Sequence, residues 1–245
     1  TSFTFSESAW TIEKGTMTMF IAEVIGTGIL LFIGCMGSIG TMGPILPPPL
    51  QTSMAFVIIY SNRKFLLTQM LGHISGAHLN PAVTIGAVIL GIKTIPTGIL
   101  YAIAQFIGAT IGYGLLMYVM HFITCPSFLV PGISITQAII VEILCTSFIL
   151  CAACATWDPR CAHTTDSTAI RFGFSVVGVS LAASPYTGCS MNPARTFGPA
   201  FWNGNWTNQW IYWFGPCAGA FLGTYIYVYL FAEKKENRNE CLEFI

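Results

Sequence analysis

The chain has 245 residues, 54% of them apolar and only 8% charged, with no net formal charge. A typical soluble domain carries about 25% charged residues, so this composition argues against a soluble fold and for a single bundle in a lipid bilayer. The even charge balance, with no basic stripe, excludes a nucleic-acid partner.

The first residues include Glu7 and Glu13 and lack the cationic start of a cleaved signal peptide. The first span is therefore expected to act as its own insertion signal. Six long apolar stretches follow, near 16–37, 51–71, 97–123, 135–156, 168–185 and 209–231. Each approaches the roughly 20 residues that a helix needs to cross the hydrocarbon core. Two shorter apolar segments, near 80–91 and 192–202, cannot span and are predicted to be re-entrant half-helices.

The loops near 38–50 and 124–134 contain no Lys or Arg, whereas Lys14, Lys93, Arg160, Arg171, Lys234, Lys235 and Arg238 fall on the opposite side of a six-span arrangement. The positive-inside rule then puts both short terminal tails in the cytoplasm.

The chain also repeats itself. Ala22-Glu23-Val24-Ile25-Gly26-Thr27 is similar to Val141-Glu142-Ile143-Leu144-Cys145-Thr146. Gly76-Ala77-His78-Leu79-Asn80-Pro81-Ala82 is similar to Gly188-Cys189-Ser190-Met191-Asn192-Pro193-Ala194. Each half, about 16–123 and about 135–231, holds three spans and one short segment. Three is odd, so the second half inserts upside down, and such a repeat points to a site at the bilayer midplane. All of 1–245 is read as one domain.

One Asn-Pro-Ala arises by chance in roughly one chain in twenty-five of this length. Two copies at equivalent places are far more specific. Pro suits the first turn of a helix and Asn is a good N-cap, so each motif starts a half-helix. The two positive dipole ends would meet at the midplane, with the Asn80 and Asn192 amides able to donate into a pore that repels cations.

The stretch Gly72–Val83 and the stretch Tyr186–Ala200 resemble the two signatures of the aquaporin (major intrinsic protein) family. The resemblance runs from about Glu23 to Leu230. It implies an all-α membrane fold of six transmembrane helices plus two re-entrant half-helices. It further implies a homotetramer with one pore per chain, passive transport of neutral solutes, no cofactor and no catalytic step. Loop backbone at Gly76, Ala77, His78, Gly188 and Ser190 would line the pore. A selectivity filter would lie outward of its centre.

Arg195 is the clearest filter residue, since a lone charge in an apolar segment is costly and by default functional. Cys189 matches the position that gives a carbonyl and often a thiol. Ser180, twelve residues before Asn192, stands where water-selective members carry His. A hydroxyl is smaller than an imidazole, so the filter is expected to be wider and to admit glycerol and urea. Thr196 after Arg195, Ala200 and Tyr212-Trp213 still look like the water-type branch. This combination is most similar to the insect entomoglyceroporins.

The aromatic filter position is Tyr60 when counted without gaps from Asn80, and Phe56 when matched to the local Ala55-Phe56 pattern. Ser61-Asn62-Arg63-Lys64 lies between these and Gly72. It is either a real change that narrows or gates the pore, or a four-residue insertion from an incorrect exon boundary.

Glu23 and Glu142 occupy equivalent repeat positions. They either relay protons, as in a coupled transporter, or hold the re-entrant loops by hydrogen bonds, as the resemblance implies. His73 either senses pH at a gate or packs in its loop. Of the nine cysteines, Cys35, Cys145, Cys151 and Cys154 fall in apolar runs, where a cysteine behaves as a small hydrophobe, and neither a disulfide framework nor a metal site is expected. A channel is the leading expectation. A strictly water-selective pore and a mainly structural, junction-forming membrane protein are the alternatives. The plasma membrane is the expected location.

Overall fold

The computed structural model describes residues 10–36, 66–120, 125 and 127–232. Within them the chain is helical, with no strand. The helices are α1 (Thr16–Met36), α2 (Leu66–Ser75), α3 (Pro81–Ile89), α4 (Ile95–Val119), α5 (Ile135–Trp157), α6 (Thr165–Thr187), α7 (Pro193–Asn203) and α8 (Ile211–Leu230). A short 3-10 turn, Pro159–Thr164, joins α5 to α6. Three of these helices, α1, α4 and α5, are long and apolar enough to cross a membrane by length and composition. At 23 and 20 residues, α6 and α8 reach about 30 Å or more at 1.5 Å per residue, also enough to span. Phe56, Tyr60 and Ser61-Asn62-Arg63-Lys64 lie outside the described residues.

Local chemistry sets the helix boundaries. Thr94 caps α4 by accepting from the Thr97 N–H, and Pro96 sits in its first turn. This start falls slightly before the expected 97, because the apolar pattern does not register the cap. A capping box starts α5: Ser134 accepts from the Gln137 N–H, and the Gln137 side chain accepts from the Ser134 N–H.

Helix pairs recur in the two halves. α1 packs along α4, and α5 along α8. The half-helices cross over: α7 packs on α4, and α3 on α8. Small residues permit the close crossings. A Cβ at Gly112 would strike the Gly28 carbonyl, and one at Gly223 would strike the Ser147 carbonyl. The Cys151 thiol donates to the Gly223 carbonyl at 3.3 Å across the second crossing. Gly223→Leu is therefore expected to push α8 off α5 and to abolish the folded protein, seen as loss of a monodisperse peak in detergent. Leucine at the exposed Phe221 position is expected to have little effect.

A polar clasp fastens the ends of α5 and α8. Asp158 accepts from Arg160 Nη2 at 2.6 Å and from the Tyr227 hydroxyl at 2.8 Å, while Arg160 also donates to the Phe231 carbonyl. The Arg160 guanidinium holds the Asp158 carboxyl well below the usual carboxylate range. A depressed native value means that this stabilisation is present above the ordinary carboxylate pKa of about 4 and is lost as pH falls through the native value. Asp158→Asn should lower the melting temperature at neutral pH. Its deficit against the wild type should shrink as melting is followed down through the acid range.

Candidate pore and filter

Two loops of matching conformation lead into the half-helices. After α2, Gly76 (φ 89°), Ala77 (φ 50°) and Leu79 (φ 53°) are left-handed. After α6, Gly188 (φ 72°), Cys189 (φ 44°) and Met191 (φ 49°) repeat the pattern. Non-glycine residues in this region cost on the order of 1–3 kcal/mol each and persist only where the surroundings impose them.

Two buried carboxylates do so. Glu23, fully buried in α1, accepts from the His78 N–H at 3.0 Å and the Leu79 N–H at 2.8 Å, and from Ser75 Oγ and Gln105 Nε2. Glu142, fully buried in α5, accepts from the Ser190 N–H and the Met191 N–H, both at 2.9 Å, and from Thr187 Oγ1 at 2.8 Å. Each carboxylate thus captures two successive N–H groups of the loop in its own half. The backbone amides that the left-handed turns leave unpaired find their acceptors there.

The two loops meet through the Asn residues. Asn80 Oδ1 accepts from the Ala82 N–H, and Asn192 Oδ1 from the Ala194 and Arg195 N–H groups, so both cap their half-helices. Asn80 Nδ2 donates to the Met191 carbonyl and Asn192 Nδ2 to the Leu79 carbonyl, each at 2.9 Å. One amide hydrogen of each side chain thus ties the opposite loop. The second remains for the cavity that both residues line.

That cavity, of about 50 Å³, is walled by Leu30, Asn80, Val83, Ile149, Phe172, Val176, Ser180, Cys189, Ser190, Met191, Asn192 and Arg195. A water needs roughly 10–15 Å³ of such space, so the volume suits a short file of waters or one small polyol. Five of the expected site residues meet Asn80 here: Asn192, Ser180, Cys189, Ser190 and Arg195. Gly76, Ala77, His78 and Gly188 lie along the loops but not in this wall. His78 Nδ1 instead faces Thr84 Oγ1 at 3.2 Å, and its ring packs against Tyr101 and Trp157.

Arg195 is buried, and its guanidinium is aimed by residues that sequence reading missed. Nη1 donates to Ser127 Oγ at 2.5 Å and Nη2 to Cys125 Sγ at 3.6 Å. Ser127 also contacts Thr196 Oγ1 at 3.0 Å, and Ser190 and Thr196 share a short hydroxyl contact. Phe172 and Val176 were missed as well, although they precede Ser180 by eight and four residues on one face of α6. That spacing was the available signal.

A family model described as "Major intrinsic protein" matches residues 11–227. The chain is 38% identical to Aquaporin TIP2-3 of Zea mays, over 88% of each chain. It is 36% identical to Aquaporin-4 of Mus musculus, over 97% of this chain and 76% of that one. It is 37% identical to the lens fiber major intrinsic protein of Ovis aries, over 96% and 90%. Among solved structures, the aquaglyceroporin from Plasmodium falciparum aligns with a TM-score of 0.75 over 88% of this chain and 96% of that chain; at 22% identity it speaks to the fold alone. Paired Asn caps, carboxylate-held loops and a family match along almost the whole sequence agree: the chain is an integral membrane protein of the major intrinsic protein (aquaporin) family.

Proposed function

We propose that the protein is a passive channel for water and for small neutral solutes, with glycerol and urea among them. The observation that carries this reading is the cavity shared by the two capping Asn residues, with Ser180 and Arg195 in its wall. Asn80 and Asn192 form the pore centre. Their spare amide hydrogens receive the oxygen of a passing solute while the two half-helix N-termini repel cations. Ser180, Cys189 and Arg195 form the filter, together with either Phe56 or Tyr60. The loop backbone at Gly76, Ala77, His78, Gly188 and Ser190 guides solute along the path. Glu23 and Glu142 hold the loops and take no part in transport.

The glycerol part rests on size. A hydroxymethyl group at 180 leaves room that an imidazole would fill, and this feature is also what makes the chain similar to the insect entomoglyceroporins. A strictly water-selective pore is the second reading, favoured by relatives whose names mention only aquaporins. The working assembly is a homotetramer in the plasma membrane with both termini cytoplasmic, a topology supported by the Lys and Arg distribution.

The test is uptake of labelled glycerol into proteoliposomes beside osmotic water flux. Both should exceed those of protein-free vesicles. Water flux without glycerol flux would overturn the wide filter and leave the water channel standing.

A further inference from the structure

We propose that Ser127 and Thr196 are positioning residues for the filter: with Ser190 they form a one-way chain of hydroxyl hydrogen bonds that runs from the Arg195 guanidinium to the Asn192 carbonyl and holds the guanidinium against the cavity wall. The proposal rests on the channel reading above for its effect on flux, and on geometry alone for the chain itself.

Every link is buried. Arg195, Ser127, Thr196, Ser190 and Asn192 are between 1% and 7% exposed. Arg195 Nη1 donates to Ser127 Oγ at 2.5 Å. Ser127 Oγ lies 3.0 Å from Thr196 Oγ1, which in turn contacts Ser190 Oγ. Ser190 Oγ lies 3.0 Å from the Asn192 carbonyl oxygen. Donor counting then fixes the direction. A carbonyl only accepts, so Ser190 gives its single hydroxyl hydrogen to Asn192. Ser190 must therefore accept from Thr196, and Thr196 must accept from Ser127. Ser127 is left with lone pairs for the guanidinium, which only donates. All the hydrogens point one way, from a permanent cation to a backbone carbonyl. Bonds aligned in this manner polarise and strengthen one another.

Both ends of the chain belong to the pore, and its middle does not. Arg195, Ser190 and Asn192 are in the cavity wall, whereas Ser127 and Thr196 stand outside it. A change at 127 or 196 reaches the solute only through its neighbours. The chain also closes on the start of α7. The Asn192 carbonyl accepts from the Thr196 N–H at 3.3 Å, and Asn192 Oδ1 accepts from the Arg195 N–H at 3.2 Å. The filter cation and the pore-centre amide are thus one braced unit.

Ser127→Ala removes the first link. The Arg195 charge keeps Cys125 Sγ at 3.6 Å, but a thiol sulfur is a weak acceptor. A buried charge that loses its partner is costly to leave so, and the guanidinium turns to other oxygens. The cavity offers them, the Ser180 hydroxyl included, and a guanidinium that swings inward fills much of about 50 Å³. Thr196→Val acts one link further on. It leaves the Arg195–Ser127 bond in place but takes the acceptor from the Ser127 hydroxyl, so its effect is smaller.

The experiment uses the full chain, with osmotic water flux per protein in proteoliposomes and melting temperature in detergent. Ser127→Ala should lower water flux by about fivefold or more. Ser127→Thr, which keeps the hydroxyl, should restore most of it, and Thr196→Val should fall between. Combined with Arg195→Ala, neither Ser127→Ala nor Thr196→Val should lower flux further. In melting, Ser127→Ala and Thr196→Val together should cost less than the sum of the two alone, as for members of one network. Wild-type flux in Ser127→Ala, an equal fold-loss once Arg195 is already alanine, or additive melting losses would overturn the proposal. A purely structural role for Ser127 predicts the second of these. If Ser127→Ala yields no folded protein, Thr196→Val alone and with Arg195→Ala decides the question by the same flux comparison. Wild-type vesicles that shrink no faster than empty ones refute the channel, and the melting comparison then decides the chain by itself.

Discussion

Ser180→His is expected to remove glycerol permeation while water permeation stays within a few-fold of the wild type. Ser180 shares the cavity wall with Arg195, Cys189 and both capping Asn residues. An imidazole there would occupy space in a cavity of about 50 Å³ whose wall also holds Arg195. Water still fits beside it, and a three-carbon polyol does not. A loss of glycerol flux of at least tenfold, or about 1.4 kcal/mol of added barrier, is the scale to look for. Paired stopped-flow traces under sucrose and glycerol gradients measure both solutes on one preparation. Equal glycerol flux in wild type and variant would mean that position 180 does not set the width.

The second large effect concerns Glu142. Glu142→Ala strands the Ser190 and Met191 N–H groups and the Thr187 hydroxyl in a buried site. Each unsatisfied buried donor costs about 1–3 kcal/mol, so three approach the whole stability of a marginal protein. The alanine variant should fail to yield folded protein. Glu142→Gln retains one acceptor oxygen but offers N–H where the second oxygen stood, so it should fold in reduced yield. The molecules that do fold should conduct water at the normal rate per protein, with no dependence on a proton gradient. A proton relay through this carboxylate predicts the reverse: normal yield and abolished transport.

The legible and illegible parts of the molecule divide along sequence distance. Local signals carried far. The Asn-Pro-Ala turns are capping chemistry within three residues, and both caps form as that chemistry requires. Glu23 and Glu142 stood out because a carboxylate in an apolar helix is conspicuous, and the repeat matched them to one another. Their four loop N–H partners were not readable as such, because those bonds reach 48 to 56 positions along the chain. Arg195 was conspicuous for the same reason as the glutamates. Its holders, Ser127 and Cys125, were not, since a serine and a cysteine in a loop some 70 residues away carry no mark of their role. Phe172 sits in an ordinary apolar run, and only its spacing from Ser180 hints at the wall it joins. The positive φ values at Ala77, Leu79, Cys189 and Met191 have no residue-type signature, because tertiary bonds impose them and glycine does not. The cross-loop donations from Asn80 and Asn192 also refine the expected pore centre: each amide braces the opposite loop with one hydrogen and offers the cavity the other.

The most direct measurement is stopped-flow shrinkage of proteoliposomes that also hold a pH-sensitive dye. A pore centred on Asn80 and Asn192 predicts that vesicles with protein shrink much faster than empty ones under an osmotic step. It predicts equally that an imposed pH gradient decays no faster with protein than without. Shrinkage at the rate of empty vesicles, or dye-reported proton entry that tracks the protein, would contradict it.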